Sequence, residues 1–270
     1  MIKVLQCSCP RSGSFGLYSL LRYIMKEEDI YKTYMLESGI GAIVRDHFVK
    51  FATHPLWHEV DNIRISNNKL YFAFMNPKNN NNFIEVNSNI LFDNSNLMWT
   101  HDKPSIINSS IMDITHAIYI VRDGRSVVNS MINYVTSPKA IMANPKYNIT
   151  DSNDIFNNDK LFASYVNAWS NHIDSYMRNK NRYLLIKAEY LKSYVSKAAK
   201  DVCEYMEIDV NLTNIKSCVG YEVLSKQAPN HLFIKKNKWQ DNFSKRNVEI
   251  FKDLAGDNLI NMGYVKDNKW

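Results

Sequence analysis

Cys9-Pro10-Arg11-Ser12-Gly13-Ser14-Phe15-Gly16 is the stretch that decides the fold, and its meaning comes from what stands on either side. Upstream, Lys3 to Ser8 is a short, largely apolar run of strand character. Downstream, Leu17, Leu20, Leu21, Ile24 and Met25 recur at the i, i+3, i+4, i+7, i+8 spacing of a helix with one apolar stripe, reaching about Lys26. A strand, a turn with glycine and a helix N-terminus make an anion site. The first N–H groups of the helix lack intrahelical acceptors, and the helix dipole favours negative charge there. Ser12 and Ser14 add hydroxyl donors, Arg11 adds a fixed guanidinium fork, and Gly13 lets the backbone approach a phosphate. The chain has only eight glycines, and two of them, Gly13 and Gly16, share this turn. That lifts the signal above an ordinary strand-to-helix turn with a serine cap.

A loop that binds ATP or GTP with magnesium should read G-x-x-x-x-G-K-[ST], with lysine on the outer phosphates and the hydroxyl on the metal. No glycine stands five residues before Gly13, and Ser14-Phe15 occupies the Lys-Ser/Thr positions. A nucleoside or sugar kinase is therefore the runner-up reading, and a nucleotide-binding module without activity is the third.

Further along, Leu97-Met98-Trp99, Ala117-Ile118-Tyr119-Ile120-Val121 and Tyr183-Leu184-Leu185-Ile186 read as strands covered on both faces. Helical patterns follow two of them, at Val127, Val128, Met131 and Ile132 and at Ala198, Ala199, Val202, Tyr205 and Met206. Strands alternating with helices predict an α/β fold with a central, mostly parallel sheet flanked by helices. A last helix is expected from Lys245 to Asn261, ending near Gly263. No repeat or linker divides the chain, so residues 1–270 read as one domain. Residues 30–96 and 133–160 look irregular and rich in Asn, Tyr and Phe, and are expected to be insertions above the sheet.

Composition narrows the class. An apolar fraction of 45% with 12% aromatics belongs to a folded globular chain. The net charge of +6 suits a small anionic ligand. The basic residues are scattered, with no basic stripe interleaved with aromatics, so nucleic acid is not an expected partner. No run approaches the roughly 20 apolar residues of a membrane span, and Met1 to Cys7 is too short and polar for a signal peptide. A cytoplasmic location is expected. The cysteines (Cys7, Cys9, Cys203, Cys218) are too few for a disulfide framework and lack paired metal-ligand spacing. Cys7 and Cys9, two apart on a strand, should face the same way and pack as small apolar groups.

The loop resembles the 5′-phosphosulfate-binding loop of the sulfotransferase family, P-[KR]-[ST]-G-[ST]-[ST]. The segment Ile118 to Ser130, containing Arg122-Asp123-Gly124-Arg125, is similar to that family's 3′-phosphate motif: a strand ending in Arg, a turn, and a helix bearing Ser eight residues later. Arg122 at a strand end and Ser130 about two helical turns on could converge on one phosphate. Thr100-His101-Asp102-Lys103-Pro104 resembles the Thr-His-x-x-Pro of cytosolic members, in which His is the catalytic base; it stands 21 residues before Arg122. Weaker likenesses follow. Tyr183 to Leu191 is similar to a strand and turn often written Y-E-D-L, with Ala188 at a family tyrosine. Lys235 to Phe243 resembles the G-x-x-G-x-W segment that closes over the nucleotide, with Trp239 and Phe243 correctly spaced but both glycines absent. Leu259 to Tyr264 looks like the closing helix. Phe15 replaces a second hydroxyl residue, and Gly16 stands where many cytosolic members carry an adenine-stacking Trp. Arg-Ser-Gly-Ser looks more like the carbohydrate enzymes, whereas the His motif looks like those acting on small hydroxyl compounds.

The resemblance runs from residue 4 to 264 and implies a P-loop-like, three-layer fold. It implies 3′-phosphoadenosine 5′-phosphosulfate (PAPS) as donor, 3′,5′-adenosine bisphosphate (PAP) as product, no metal, and in-line transfer to a hydroxyl of a small molecule or carbohydrate. His101 would be the base, and Arg11 would neutralise charge on the departing bridging oxygen. The nucleotide would be held by Arg11, Ser12, Gly13, Ser14, Phe15, Gly16, Arg122, Ser130, Lys235, Lys236 and Trp239. His47, His54, His58, His116, His172 and His231 are expected as surface or packing residues.

Overall fold

Seven strands form one sheet: β1 (Val4–Ser8), β2 (Asp61–Ser66), β3 (Lys69–Ala73), β4 (Phe83–Val86), β5 (Leu97–Thr100), β6 (His116–Val121) and β7 (Tyr183–Lys187), in the order β4-β3-β2-β5-β1-β6-β7. The computed structural model describes residues 2–39, 59–73, 83–107, 113–143, 149–227 and 238–270. Lys235 and Lys236, together with His47, His54, His58 and His231, lie outside the described residues.

β1 lies between β5 and β6 and is parallel to both, Val4 pairing with Leu97 on one side and His116 on the other. β7 continues the parallel set beyond β6, and β2 continues it beyond β5. All five residues of β1 are buried, as expected of a central strand covered on both faces. Alternate residues feed two cores. Leu5, Cys7 and Cys9 join one core; helices α2 (Gly124–Val135), α3 (Asp159–Asn179) and α5 (Lys245–Asn261) supply Val127, Val128, Phe162, Trp169 and Phe251 to it. Val4 joins the other core, with Leu17, Leu20, Leu21, Ile24 and Met25 of α1 (Ser14–Glu27) and Ala198, Ala199, Val202 and Met206 of α4 (Val195–Met206). The three-layer α/β architecture and the shared orientation of Cys7 and Cys9 both agree with the sequence.

The expectation of irregular structure across 30–96 is corrected. Residues 61–86 carry three strands that widen the sheet, with β3 antiparallel to β2 and β4 antiparallel to β3. β2 and β3 are joined by Asn67-Asn68, both left-handed (φ 49° and 58°), the backbone of a two-residue hairpin turn. Ile63, Ile65, Leu70 and Phe72 are buried, whereas Ser66 and Lys69 are exposed, so the apolar signal is interrupted by polar residues on the outer face. Residues 133–160 also carry structure. α2 runs to Val135, short helices follow at Pro138–Ala143 and Asn153–Phe156, and Ile155 and Phe156 enter the core. Among the described residues no helix is long and apolar enough to cross a membrane.

Candidate active site

The C-terminal ends of β1, β5 and β6 lie side by side, because β1 pairs with both of the others in parallel. The three segments singled out from sequence leave from those three ends and are therefore neighbours in space. This is the general position of ligand sites in open parallel sheets.

After Ser8 the chain turns sharply: Ser12 N–H bonds back to the Cys9 carbonyl at 3.3 Å, Arg11 takes a left-handed φ of 68°, and Gly13 takes φ 90°. Gly13 is the N-cap of α1, and no side chain caps that helix. The left-handed φ favours glycine here, and a Cβ on Gly13 would also press on Ala188 Cβ at 3.2 Å. The first turn of α1 is propped from below. Gln6 Nε2 donates to the Ser14 carbonyl at 2.7 Å, and the Ser8 and Ser14 hydroxyls are 2.8 Å apart. Ser12 is buried and its hydroxyl has no hydrogen-bond partner among the described residues. A buried hydroxyl left without a partner beside an uncapped helix start is costly unless a ligand satisfies it, and a phosphate oxygen fits that requirement.

Two arginines complete the cradle. Arg11 Nε donates to the Ser130 hydroxyl at 3.1 Å, and its guanidinium lies 5.0 Å from the ring centre of Tyr134, one turn further along α2. Arg122 donates to the Arg11 carbonyl at 3.3 Å. Burial lowers the Arg11 pKa, Tyr134 opposes that, and the nearby Arg122 adds to it; two clustered, part-buried cations call for an anion between them. Arg11, Ser12, Gly13, Ser14, Arg122 and Ser130 are thus brought together. Phe15 and Gly16 enter differently. The Phe15 side chain is buried in the core, and the Cα of Gly16 faces Leu191, so this part of the loop can offer a ligand only backbone.

His101 stands directly behind β1. Its Nδ1 is 2.9 Å from the Ser8 carbonyl and 3.1 Å from the Ser8 hydroxyl. A carbonyl only accepts, so Nδ1 carries the ring proton and Nε2 holds the lone pair. No partner for Nε2 is found among the described residues. Burial is the main cause that pushes the His101 pKa down to about 3, with the Arg64, His172 and Arg11 charges adding to it, so the imidazole is neutral near pH 7.

Sequence reasoning missed the residues that hold His101. Asp102 is buried; its carboxylate accepts from the Ile65 N–H at 2.6 Å and from Arg64 at 2.7 Å, tying the histidine loop to β2. His172 on α3 donates from Nε2 to the His101 carbonyl at 3.3 Å, while its Nδ1 accepts from the Tyr119 hydroxyl at 2.8 Å. Neither contact was visible beforehand, because β2 and α3 were not assigned. The apolar spacing of Phe162, Val166, Trp169, Ile173 and Tyr176 carries the α3 signal, and all five are buried.

Trp239 is engaged with the protein itself, 4.7 Å from the Arg125 guanidinium and edge-on to Trp270. Among the described residues no group of three or more His, Cys, Asp or Glu side chains converges.

A family model described as a sulfotransferase domain matches residues 2–259. No curated protein matches the chain by sequence. Among solved structures, the mouse sulfotransferase SULT7A1 complexed with PAP is similar at TM-score 0.55 and 15% identity, over 97% of this chain and 86% of that one. Retinol dehydratase in complex with androsterone and inactive cofactor PAP is similar at TM-score 0.54 and 14% identity, over 95% of this chain and 80% of that one. At such identities the likeness to these structures is one of fold.

Proposed function

This chain belongs to the sulfotransferase family, and from that premise we propose that it transfers a sulfuryl group from PAPS to a hydroxyl of a small molecule or carbohydrate, with His101 as general base. The observation that carries the reading is the meeting of Arg11, Ser130 and Arg122 beside the unpartnered Ser12 hydroxyl, with a neutral His101 on the adjoining strand end. Two separate phosphate-binding arms suit a ligand phosphorylated at both the 5′ and 3′ positions. The PAP that accompanies SULT7A1 and retinol dehydratase has that chemistry, and the androsterone and retinol bound to the latter are small hydroxyl compounds.

In this mechanism Arg122 and Ser130 hold the 3′-phosphate, while Arg11, Ser12 and the backbone at the start of α1 hold the 5′ end. His101 Nε2 takes the proton from the acceptor hydroxyl as its oxygen bonds to sulfur in line. The bond from sulfur to the bridging oxygen breaks, and the negative charge left on that oxygen is met by Arg11 and the helix start. Nδ1–H remains on the Ser8 carbonyl, which keeps the ring in the tautomer that can accept. The acceptor is expected to meet segments from 30–96 and 133–160, and the cytoplasm is the compartment assigned with this reading.

The test is direct. PAP should raise the melting temperature while ATP with magnesium does not, and a panel of hydroxyl compounds incubated with PAPS should yield a sulfated product by mass spectrometry. The reverse stabilisation pattern would favour a kinase. PAP stabilisation without any sulfated product, in a panel spanning phenols, alcohols and sugars, would favour an inactive module.

A further inference from the structure

Arg125 lies three residues beyond Arg122 and is buried in an unusual setting. Its guanidinium is 4.7 Å from the Trp239 ring centre and 4.5 Å from that of Trp270, and the two indoles stand nearly perpendicular at 87°. Asp123 pairs with it through both oxygens, at 3.0 Å to Nε and 2.6 Å to Nη2, and also accepts the Arg125 N–H at 2.9 Å as the cap of α2. The rest of this turn is held just as firmly. Asp123 N–H donates to Glu189, whose other oxygen accepts from the Tyr264 hydroxyl at 3.1 Å. A Cβ on Gly124 would lie 2.6 Å from the Trp169 ring, so backbone and indole are in direct contact. Asn242, at the end of the short helix begun by Trp239, donates at 2.8 Å to Asn129, the neighbour of Ser130.

These contacts all converge on the turn and helix that carry Arg122 and Ser130. We infer that Trp239 and Trp270 are positioning residues for the 3′-phosphate arm: by clamping Arg125 from two sides they fix the angle at which β6 passes into α2. Trp239 then acts on the donor through Arg125, not by stacking on its base. A cation against two indole faces in a desolvated site is held strongly, and a hydrogen-bonding fork such as that of Arg122 loses affinity when its mounting shifts by a fraction of an ångström. The inference rests on the assignment of Arg122 and Ser130 to the 3′-phosphate.

The experiment is calorimetric titration of adenosine 3′,5′-bisphosphate and of adenosine 5′-monophosphate into the full chain and its variants. Trp270→Ala should weaken the bisphosphate about tenfold, the equivalent of one disturbed charge-assisted contact, while leaving the monophosphate within about twofold. Trp270→Phe, which keeps an aromatic face, should recover most of the loss. Val202→Ala, a core change on α4, serves as the control for general loosening and should leave the ratio of the two affinities unchanged. Should Trp270→Ala fail to fold, Arg125→Gln carries the same comparison. Equal weakening of both nucleotides by the tested variant, or of neither, overturns the inference. Arg122→Ala separates the two levels. If it leaves bisphosphate affinity intact, the assignment of the 3′-phosphate arm falls and the clamp with it; if it weakens binding but the clamp variants do not, the clamp alone falls.

Discussion

Arg11 Nε–H donates a hydrogen bond to the Ser130 hydroxyl at 3.1 Å, joining side chains 119 positions apart in the chain. The contact exists because β1 and β6 are parallel neighbours, so the turn after one and the start of the helix after the other meet at the same C-terminal end of the sheet. It also places a single guanidinium between the two arms proposed to hold opposite ends of the nucleotide.

Replacing Arg11 by Ala should therefore lower kcat by about 10²–10³, the range for removing one preorganised donor from developing charge. Arg11→Lys should recover only part of it, since a point charge cannot serve Ser130 and a departing oxygen together. Steady-state rates at saturating donor check this, and an unchanged kcat would remove Arg11 from the transfer step.

His101→Ala should cost about 10²–10⁴ in kcat while donor affinity stays near that of the parent protein. The pH profile adds a sharper expectation. Burial holds the His101 pKa near 3, so the ring stays neutral as the pH falls from 8 through 6.5. The value of kcat at saturating substrates should stay level across that range. An inflection near 6.5 would point to a base other than His101.

The sheet's centre was legible in the sequence because its strands are unbroken apolar runs. The last helix was legible too: its expected span, Lys245 to Asn261, is the one observed, set by the Ser244 capping box and left-handed Gly263. β2 and β3 were not, since Arg64, Ser66 and Lys69 interrupt their apolar pattern. Within the proposed site, Arg11, Ser12, Arg122, Ser130 and His101 were named from residue type and spacing, and the fold brings the first four together beside His101. Those that hold them in place depend on pairing across the chain. Asp102 reads as one more loop carboxylate until β2 brings the Ile65 N–H to it. Trp239 was expected against the nucleotide from its spacing, and its packing against Arg125 could not be read from that spacing.

Asp102→Ala should destabilise the fold by about 1–3 kcal/mol, because it strands the buried Ile65 N–H and removes the Arg64 partner. Part of the effect should be kinetic, a fall in kcat with donor KM little changed, as the histidine loop loses its tie to β2. Denaturant titration and steady-state kinetics on the same variant measure both.

Gly13→Ala should fold less stably by about 1–3 kcal/mol, from the left-handed backbone at φ 90° and from the 3.2 Å approach to Ala188. Ala188→Gly in the same chain relieves the contact but not the backbone strain. The double variant should recover some, not all, of the stability by thermal melting, and full recovery would show that space alone requires the glycine.

Acid stability follows mainly from three strongly shifted groups whose signs differ, with a smaller lowering at His116 adding to the histidine side. Burial lowers the pKa of His101 to about 3 and that of His172 to about 4, from an ordinary 6.5. As the pH falls below 6.5 the unfolded chain therefore comes to bind up to two more protons on these histidines than the native one, and stability present above that pH is lost as the pH falls. Asp61 works the other way. Burial raises it from 3.8 to about 7 against the N–H bonds from Tyr34 and Met35, so between those values the native state holds the extra proton. The net difference is small at pH 6.5 and grows towards one proton near pH 5, so stability should fall with increasing steepness, by about 1 kcal/mol in all, over that interval. Removing one of the two histidines should cancel that slope. His172→Gln keeps a donor for the His101 carbonyl and cannot ionise, so its denaturation midpoint should be nearly level across the same interval. A slope equal to that of the parent protein would mean that His172 does not stay neutral in the fold.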